Sequence, residues 1–257
     1  MFWNSYRAEF YKNKKSVFMW LHIGLPVILT ALLTFLCLGR KGRLTNIGLF
    51  GTFFQMIGYA MTLIAAVLCS LVVSQEQQAG GFQMMLGKTR HKVTTFISQL
   101  CMLLSMCAFA LLLAVVSFLL SMKFVLHIKN ISYIMFIKTA MIVFISVIFL
   151  YSFYLIIAYC FGTGISNIMG FAGVIISALA CTGQGDSIWR VLPWAWSVRL
   201  SNFMTVSQYA HGAKVPLTYK YYQHNDITGG LIMGIMTVCC LSLSIAVFYF
   251  WEGRQRA

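Results

Sequence analysis

Long uncharged apolar runs separated by short basic stretches set the pattern of this chain. Leu44–Gln75 and Val93–Met122 carry no formal charge, and each exceeds the roughly 20 apolar residues a helix needs to cross a bilayer. Residues 139–185 are uncharged as well. As a single helix they would be about 70 Å long, so the run has to turn once, and Phe161–Asn167 (FGTGISN) supplies the turn. By apolar length the spans are predicted at Val17–Leu38, Gly48–Val73, Val93–Met122, Thr139–Cys160, Ile168–Cys181 and Ile227–Trp251, with Pro26 tolerated as a kink in the first. Ahead of them, residues 1–15 place Phe2, Tyr6 and Phe10 at helical spacing, with lysines following. That pattern predicts an interfacial amphipathic helix. Residues 182–226 form the longest polar segment and hold Trp189, Trp194 and Trp196, half the tryptophans of the chain. Such rings favour the headgroup level, so a short re-entrant or interfacial segment is expected there.

Composition agrees with this reading. Hydrophobic residues make up 60% of the chain and charged residues 9%, against about 25% charged in a soluble domain. The expected fold class is an all-α membrane protein, a single domain over 1–257 with six transmembrane helices. The first span follows a basic stretch but lacks a small-residue cleavage site, so it is expected to be a retained helix rather than a signal peptide. A net charge of +14 points to anionic lipid headgroups or an acidic partner. Nucleic acid is excluded as a partner because the basic residues are scattered through the loops rather than gathered on one soluble face. The positive-inside rule does not settle the orientation. Nine basic residues fall on the side of the termini and ten on the other.

Few residues carry chemistry. The eight cysteines sit mostly inside apolar runs, with no CxxC pair and no Cys/His ligand spacing, so neither a metal nor a disulfide framework is expected. GGFQMMLGKT approaches a phosphate-binding loop, but the first glycine of G-x-x-x-x-G-K-[ST] would fall at Phe82 and no strand precedes it. No cofactor is therefore expected on this chain. No GxSxG or HExxH occurs, and the five carboxylates are dispersed, so it is not expected to be an enzyme. Span centres are expected to hold amides (Gln55, Gln99, Asn167) but no ionisable group, which argues against a proton-coupled transporter. Plain helix–helix hydrogen bonding would account for those amides equally well. Gly230 and Gly234 form a GxxxG, and Gly170 and Gly173 add small residues that permit close helix approach. His22 stands alone in the first span.

Glu76 is the one acidic residue between the two long uncharged runs. It opens SQEQQAGGFQMMLGKTRHK, in which the glycines bend the chain. A surface helix with a carboxylate in its first turn and Phe82 beyond the bend is expected over 74–92, with an ordinary solvated loop as the plain alternative.

Six spans, a basic amphipathic N-terminus and an E-x-x-x-G-x-F-Q-type connector between spans 2 and 3 resemble the ABC-2 class of ABC-transporter permeases. The run VVSQEQQAGGFQMMLGKTRHKVTTFISQL (Val72–Leu100), and more loosely LPWAWSVR before span 6, is similar to the lantibiotic-immunity permeases of the E/G subunit type. The resemblance implies one membrane subunit of an exporter that expels a lantibiotic-like peptide. ATP and Mg would be bound by a separate ATP-binding subunit, in two copies. A second homologous permease subunit, membrane lipid and the peptide substrate would be the other partners. The connector would be a cytosolic coupling helix, with Glu76, Gly80, Gly81 and Phe82 at the ATPase cleft. Gln55, Gln99, Trp189, Trp194 and Trp196 would lie along the substrate route. The location would be the bacterial cytoplasmic membrane, multi-pass, with both termini cytosolic. An ABC-2 exporter of another amphiphile, or a non-transporting membrane sensor or scaffold, are the alternatives.

Overall fold

The computed structural model describes residues 2–14, 16–39, 45–80, 82–83, 87, 92–210 and 217–253, with side chains described outside 208–226. All the regular structure among them is helical. Helix α1 is Phe2–Asn13, α2 Val17–Leu38, α3 Asn46–Gln78, α4 Lys92–Phe124, α5 Tyr133–Phe161, α6 Thr163–Ala180, α7 Pro193–Ala210 and α8 Leu217–Phe250. Six helical stretches among the described residues are long and apolar enough to cross a membrane: α2 to α6, and Ile227–Phe250 within α8. In hydrocarbon no water can satisfy backbone N–H and C=O groups, so an apolar run has to bond internally as a helix.

Helix ends follow local chemistry. At the start of α3 the Thr45 hydroxyl accepts from the Gly48 amide at 3.1 Å, an N-cap that satisfies one of the helix's free donors. The break between α5 and α6 needs one residue, Gly162, at φ 95°, a conformation open to glycine without a Cβ clash. The expected turn Phe161–Asn167 is therefore far shorter than predicted, and α6 begins at Thr163.

Helix α3 is the organising element, with sixteen buried residues from Leu49 to Glu76. Helix α5 runs alongside it, with Phe136 against Phe50 at 5.0 Å between ring centroids and Cys69 Sγ 3.5 Å from the Tyr151 carbonyl. Helices α6 and α7 line another flank. Ser70 Oγ donates to the Thr163 carbonyl at 3.2 Å, and a Cβ at Gly170 would lie 2.5 Å from that of Ala66. Ser197 Oγ donates to the Gly58 carbonyl at 3.2 Å. A Cβ at Gly58 would meet Val198 at 2.6 Å, and one at Gly51 would meet Thr205 at 3.0 Å. Both helices thus run antiparallel to α3. Helix α6 starts beside Ser70, and α7 takes over beside Gly58.

The structure adds detail to the segment expected over 182–226. Two 3-10 turns, Gly183–Gly185 and Trp189–Val191, lead into the 18-residue α7, and α8 begins at Leu217, ten residues ahead of the predicted Ile227. Trp196 and Trp189 are buried in the bundle. A Cβ at Gly229 of α8 would lie 2.3 Å from the Trp189 ring.

Arg199 of α7, next to Val198 and so alongside Gly58 of α3, caps the end of α6. Its Nε donates to the Ala180 carbonyl at 2.7 Å, and its Nη2 donates to the Thr182 carbonyl at 2.9 Å and pairs with Asp186 at 2.7 Å. A cation at a helix C-terminus complements the helix dipole.

Candidate functional site

The face that α1 turns to the bundle is polar. Glu9 and Asn13 are buried while Phe2, Trp3 and Tyr11 are exposed. Ser5, Glu9 and Asn13 are spaced four apart and fall on one face. Ser5 bonds Ser98 of α4 at 2.8 Å, and Tyr6 bonds Ser105 at 2.7 Å. The apolar spacing of Phe2, Tyr6 and Phe10 is real: Phe2 stacks on Tyr6 at 6.2 Å, Phe10 meets Tyr6 edge-on at 5.0 Å, and Tyr6 and Phe10 also pack against the core.

Helix α1 delivers Lys12 to Glu76. Contrary to expectation, Glu76 lies in the last turn of α3 rather than the first turn of a surface helix, and it is 5% exposed. A carboxylate at a helix C-terminus is disfavoured by the helix dipole, and a buried charge requires a partner. Lys12 supplies that partner through an ion pair with Glu76 Oε1, and it also reaches Glu9 at 3.4 Å. Burial alone would lower the Lys12 pKa, but the carboxylates of Glu9 and Glu76 outweigh it and hold the ammonium above its ordinary value.

The polar chain continues inward. Gln99 Nε2 donates to Glu76 Oε1 at 2.9 Å, and the Tyr159 hydroxyl donates to Gln99 Oε1 at 2.5 Å. Gln99 and Tyr159 are fully buried. Lys12, Glu76, Gln99 and Tyr159 come from α1, α3, α4 and α5, so one continuous network ties four helices together at one end of the bundle.

Tyr159 belongs equally to an aromatic cluster. Phe82, four residues past the end of α3, is 3% exposed and packs on Tyr159 (5.8 Å) and Trp251 (5.0 Å). Phe248 lies 5.1 Å from Tyr159, 5.3 Å from Trp251 and 4.9 Å from Phe96. Lys92 Nζ donates to the Trp251 carbonyl at 2.8 Å. Phe82 therefore does not project into solvent. It anchors the connector to α5 and to the end of α8. Two positive φ angles accomplish this, 112° at Gly80 and 69° at Phe82. The first suits glycine, whereas the second is strained for a bulky side chain and is held by the ring's packing. Gly80 and Gln83 are exposed, and Gly81 lies outside the described residues.

The residues expected along a substrate route separate into two groups. Gln99 belongs to the Glu76 network. Gln55 donates to the Tyr59 hydroxyl at 3.3 Å, toward the other end of α3. Trp194 donates to the Tyr154 hydroxyl at 2.8 Å and lies against Gly173. Trp196 donates to the Arg190 carbonyl at 2.8 Å and meets Phe149 edge-on at 5.4 Å. Trp189 packs on α8. Three of the five (Trp194, Trp196 and Trp189) are thus engaged in fastening α7 and its leading turns. Lys12, Tyr159 and Trp251 escaped the sequence reading. Only the aromatic ending of span 6 hinted at the cluster.

Among the described residues no set of three His, Cys, Asp or Glu could hold a metal ion. Through Glu76 and Phe82 the connector is in contact, directly or by one intermediate side chain, with α1, α3, α4, α5 and the end of α8. Compared with models of known protein families, with curated proteins and with solved structures, the chain matches none of them.

Proposed function

We propose that this chain is the membrane subunit of an ABC-2-type exporter that moves a lantibiotic-like peptide out of the bilayer, with ATP and Mg bound by a separate soluble subunit docking on the α3–α4 connector. One observation carries the reading. The α3 end of the connector is fastened to the bundle at two points, at Glu76 by an ion pair and a buried amide, and at Phe82 by two aromatic rings. A solvated loop needs no such attachment, whereas a part that receives work from outside and passes it to several helices does. Both attachments lead to Tyr159, through Gln99 from Glu76 and directly from Phe82, so a push at the exposed Gly80 or Gln83 would be felt in α5.

On this reading the connector and both termini are cytosolic, α1 is an interfacial helix at the inner surface, and a homologous permease subunit completes the pathway. The test is functional. Cells carrying this chain and its ATP-binding partner are challenged with a panel of peptide antibiotics, and ATPase activity of the purified complex is read with and without peptide. Glu76→Lys is expected to leave the protein in the membrane while abolishing peptide-stimulated ATPase activity and resistance. Full resistance in that variant would remove the coupling role. Failure of any ATP-binding polypeptide to co-purify would favour a sensor or scaffold instead.

A further inference from the structure

A second feature lies along α1 and does not depend on the transport reading. Phe2, Trp3 and Tyr6 face Cys101 and Ala108 of α4 and Phe144 of α5 across an open groove of about 400 Å³. Ala108 is the middle residue of α4 and Phe144 stands near the middle of α5, so the groove reaches mid-bundle depth. The other end of α1 lies at the end of the bundle, where Lys12 pairs with Glu76 in the last turn of α3. Helix α1 therefore slopes inward, with its N-terminal rings deep and its C-terminal charges near the surface. From Lys12 to Phe2 it is about 15 Å long, half of a hydrocarbon core of about 30 Å.

The hydroxyls in the groove wall are spent on each other. Ser105 Oγ donates to the Cys101 carbonyl, so the Tyr6 hydroxyl is the donor in its 2.7 Å bond to Ser105. Neither hydrogen is left for a guest, and the rest of the wall is rings, alkyl groups and one thiol. The occupant is therefore an apolar segment. A helix 10–12 Å across fills about 400 Å³ or more in a single turn, so a helical partner would enter by one turn at most. At about 30 Å³ for a water-sized group such as a methylene, the groove takes about a dozen carbons in a row. Charge selects the molecule that carries them. At about 100° per residue, Trp3, Arg7 and Lys14 fall within about 40° of one another, an edge of α1 that starts in the groove and leads toward the surface. Arg7 and Lys14 are exposed, and neither makes an ion pair among the described residues. A lipid with its chain in the groove brings its head to this edge, where an anionic phosphodiester meets both cations.

We infer that the groove between α1, α4 and α5 holds one acyl chain of an anionic bilayer phospholipid, with its head at Arg7 and Lys14 and its chain running past Trp3 to Ala108 and Phe144. The groove itself reads only hydrocarbon, and the two cations outside it supply the preference for a negative head. A lipid seated there packs α1 against the bundle, and with it the Lys12 that reaches Glu76.

The test uses the full-length chain in phosphatidylcholine nanodiscs containing a trace of phosphatidylglycerol with a diazirine in one acyl chain, adducts being mapped by peptide mass spectrometry. Labelling is expected to concentrate on residues 2–6, 101–108 and 144, above the level at the outward-facing Trp20 and Phe35. Unlabelled phosphatidylglycerol is expected to compete about fivefold better than phosphatidylcholine, the effect of one basic residue on an anionic head. Arg7→Gln combined with Lys14→Gln should bring the two lipids to parity, and Ala108→Leu, which fills the deep end, should remove the excess labelling of the groove. Equal competition by the two lipids on the native chain would overturn the inference. So would labelling no denser in the groove than at Trp20 and Phe35. Groove residues free of lipid adducts, with a cysteine at position 3 cross-linking to a second polypeptide, would assign the groove to a protein and overturn it as well. If Ala108→Leu fails to accumulate, the comparison of lipids on the native chain decides by itself.

Discussion

Replacing Glu76 separates charge from hydrogen bonding at the centre of the account. Glu76→Ala removes the acceptor for Gln99 Nε2, a fully buried donor, and leaving such a group unsatisfied costs about 1–3 kcal/mol. It also removes the partner of Lys12. Breaking a fully buried pair costs about 3–5 kcal/mol, but the Lys12 side chain is 36% exposed and keeps Glu9 at 3.4 Å, so the charge contribution falls toward the exposed range of about 0–1 kcal/mol. The total for Glu76→Ala is about 1–4 kcal/mol. Glu76→Gln keeps an oxygen for Gln99 and loses only the charge, at about 0–1 kcal/mol. Equilibrium unfolding in mixed micelles, read for both variants with and without Lys12→Met, gives the cycle. Coupling between Lys12 and Glu76 is expected at about 0.5–1 kcal/mol. Additivity within about 0.3 kcal/mol, or Glu76→Gln being as damaging as Glu76→Ala, would refute the network.

Other substitutions extend the test. Gly173→Val forces a Cβ to within 2.2 Å of Trp194 and is expected to cost about 1–3 kcal/mol as overpacking, whereas Gly230→Val and Gly234→Val, where a Cβ meets nothing within 4 Å, should leave the unfolding midpoint of the isolated chain unchanged. Phe82→Ala should release the connector, seen as faster labelling of a cysteine placed at Gln83, with the six-helix bundle retained by circular dichroism. Arg199→Gln removes the cation at the end of α6 and should raise hydrogen exchange at Cys181 and Thr182 relative to the middle of α6. The ammonium of Lys12 is held above its ordinary value, so its stabilisation of α1 is complete below the unfolded lysine pKa of about 10.4 and is lost as pH rises through the higher folded value. The difference in α1 protection between native and Lys12→Met proteins should persist through neutral pH and vanish only in strong alkali.

The membrane architecture was legible because charge-free length is a one-dimensional property. Five of the six spans lie where the apolar runs end, within a few residues at most helix termini. The packing of α7 within 182–226 was not legible: it depends on the glycines of α3 and α6 (Gly51, Gly58, Gly170, Gly173), which admit α7 and its neighbours. That information is pairwise and no single window holds it. The GxxxG of α8 shows the converse, since a motif good for close packing meets nothing at Gly230 or Gly234 within this chain. Glu76 could be singled out by its isolation in sequence, but its partner Lys12 lies 64 residues away on a helix read as a membrane anchor. Tyr159, which joins the polar chain to the aromatic cluster, is one aromatic among many in an apolar run.

The central claim is that another polypeptide grips the bend between α3 and α4. A photo-crosslinking amino acid at the exposed position 83, irradiated in intact cells, tests it most directly. The account predicts one dominant adduct with a soluble ATP-binding polypeptide, and shielding of that position from membrane-impermeant reagents added outside. A bend labelled from outside the cell, or irradiation that yields no protein adduct, would contradict it.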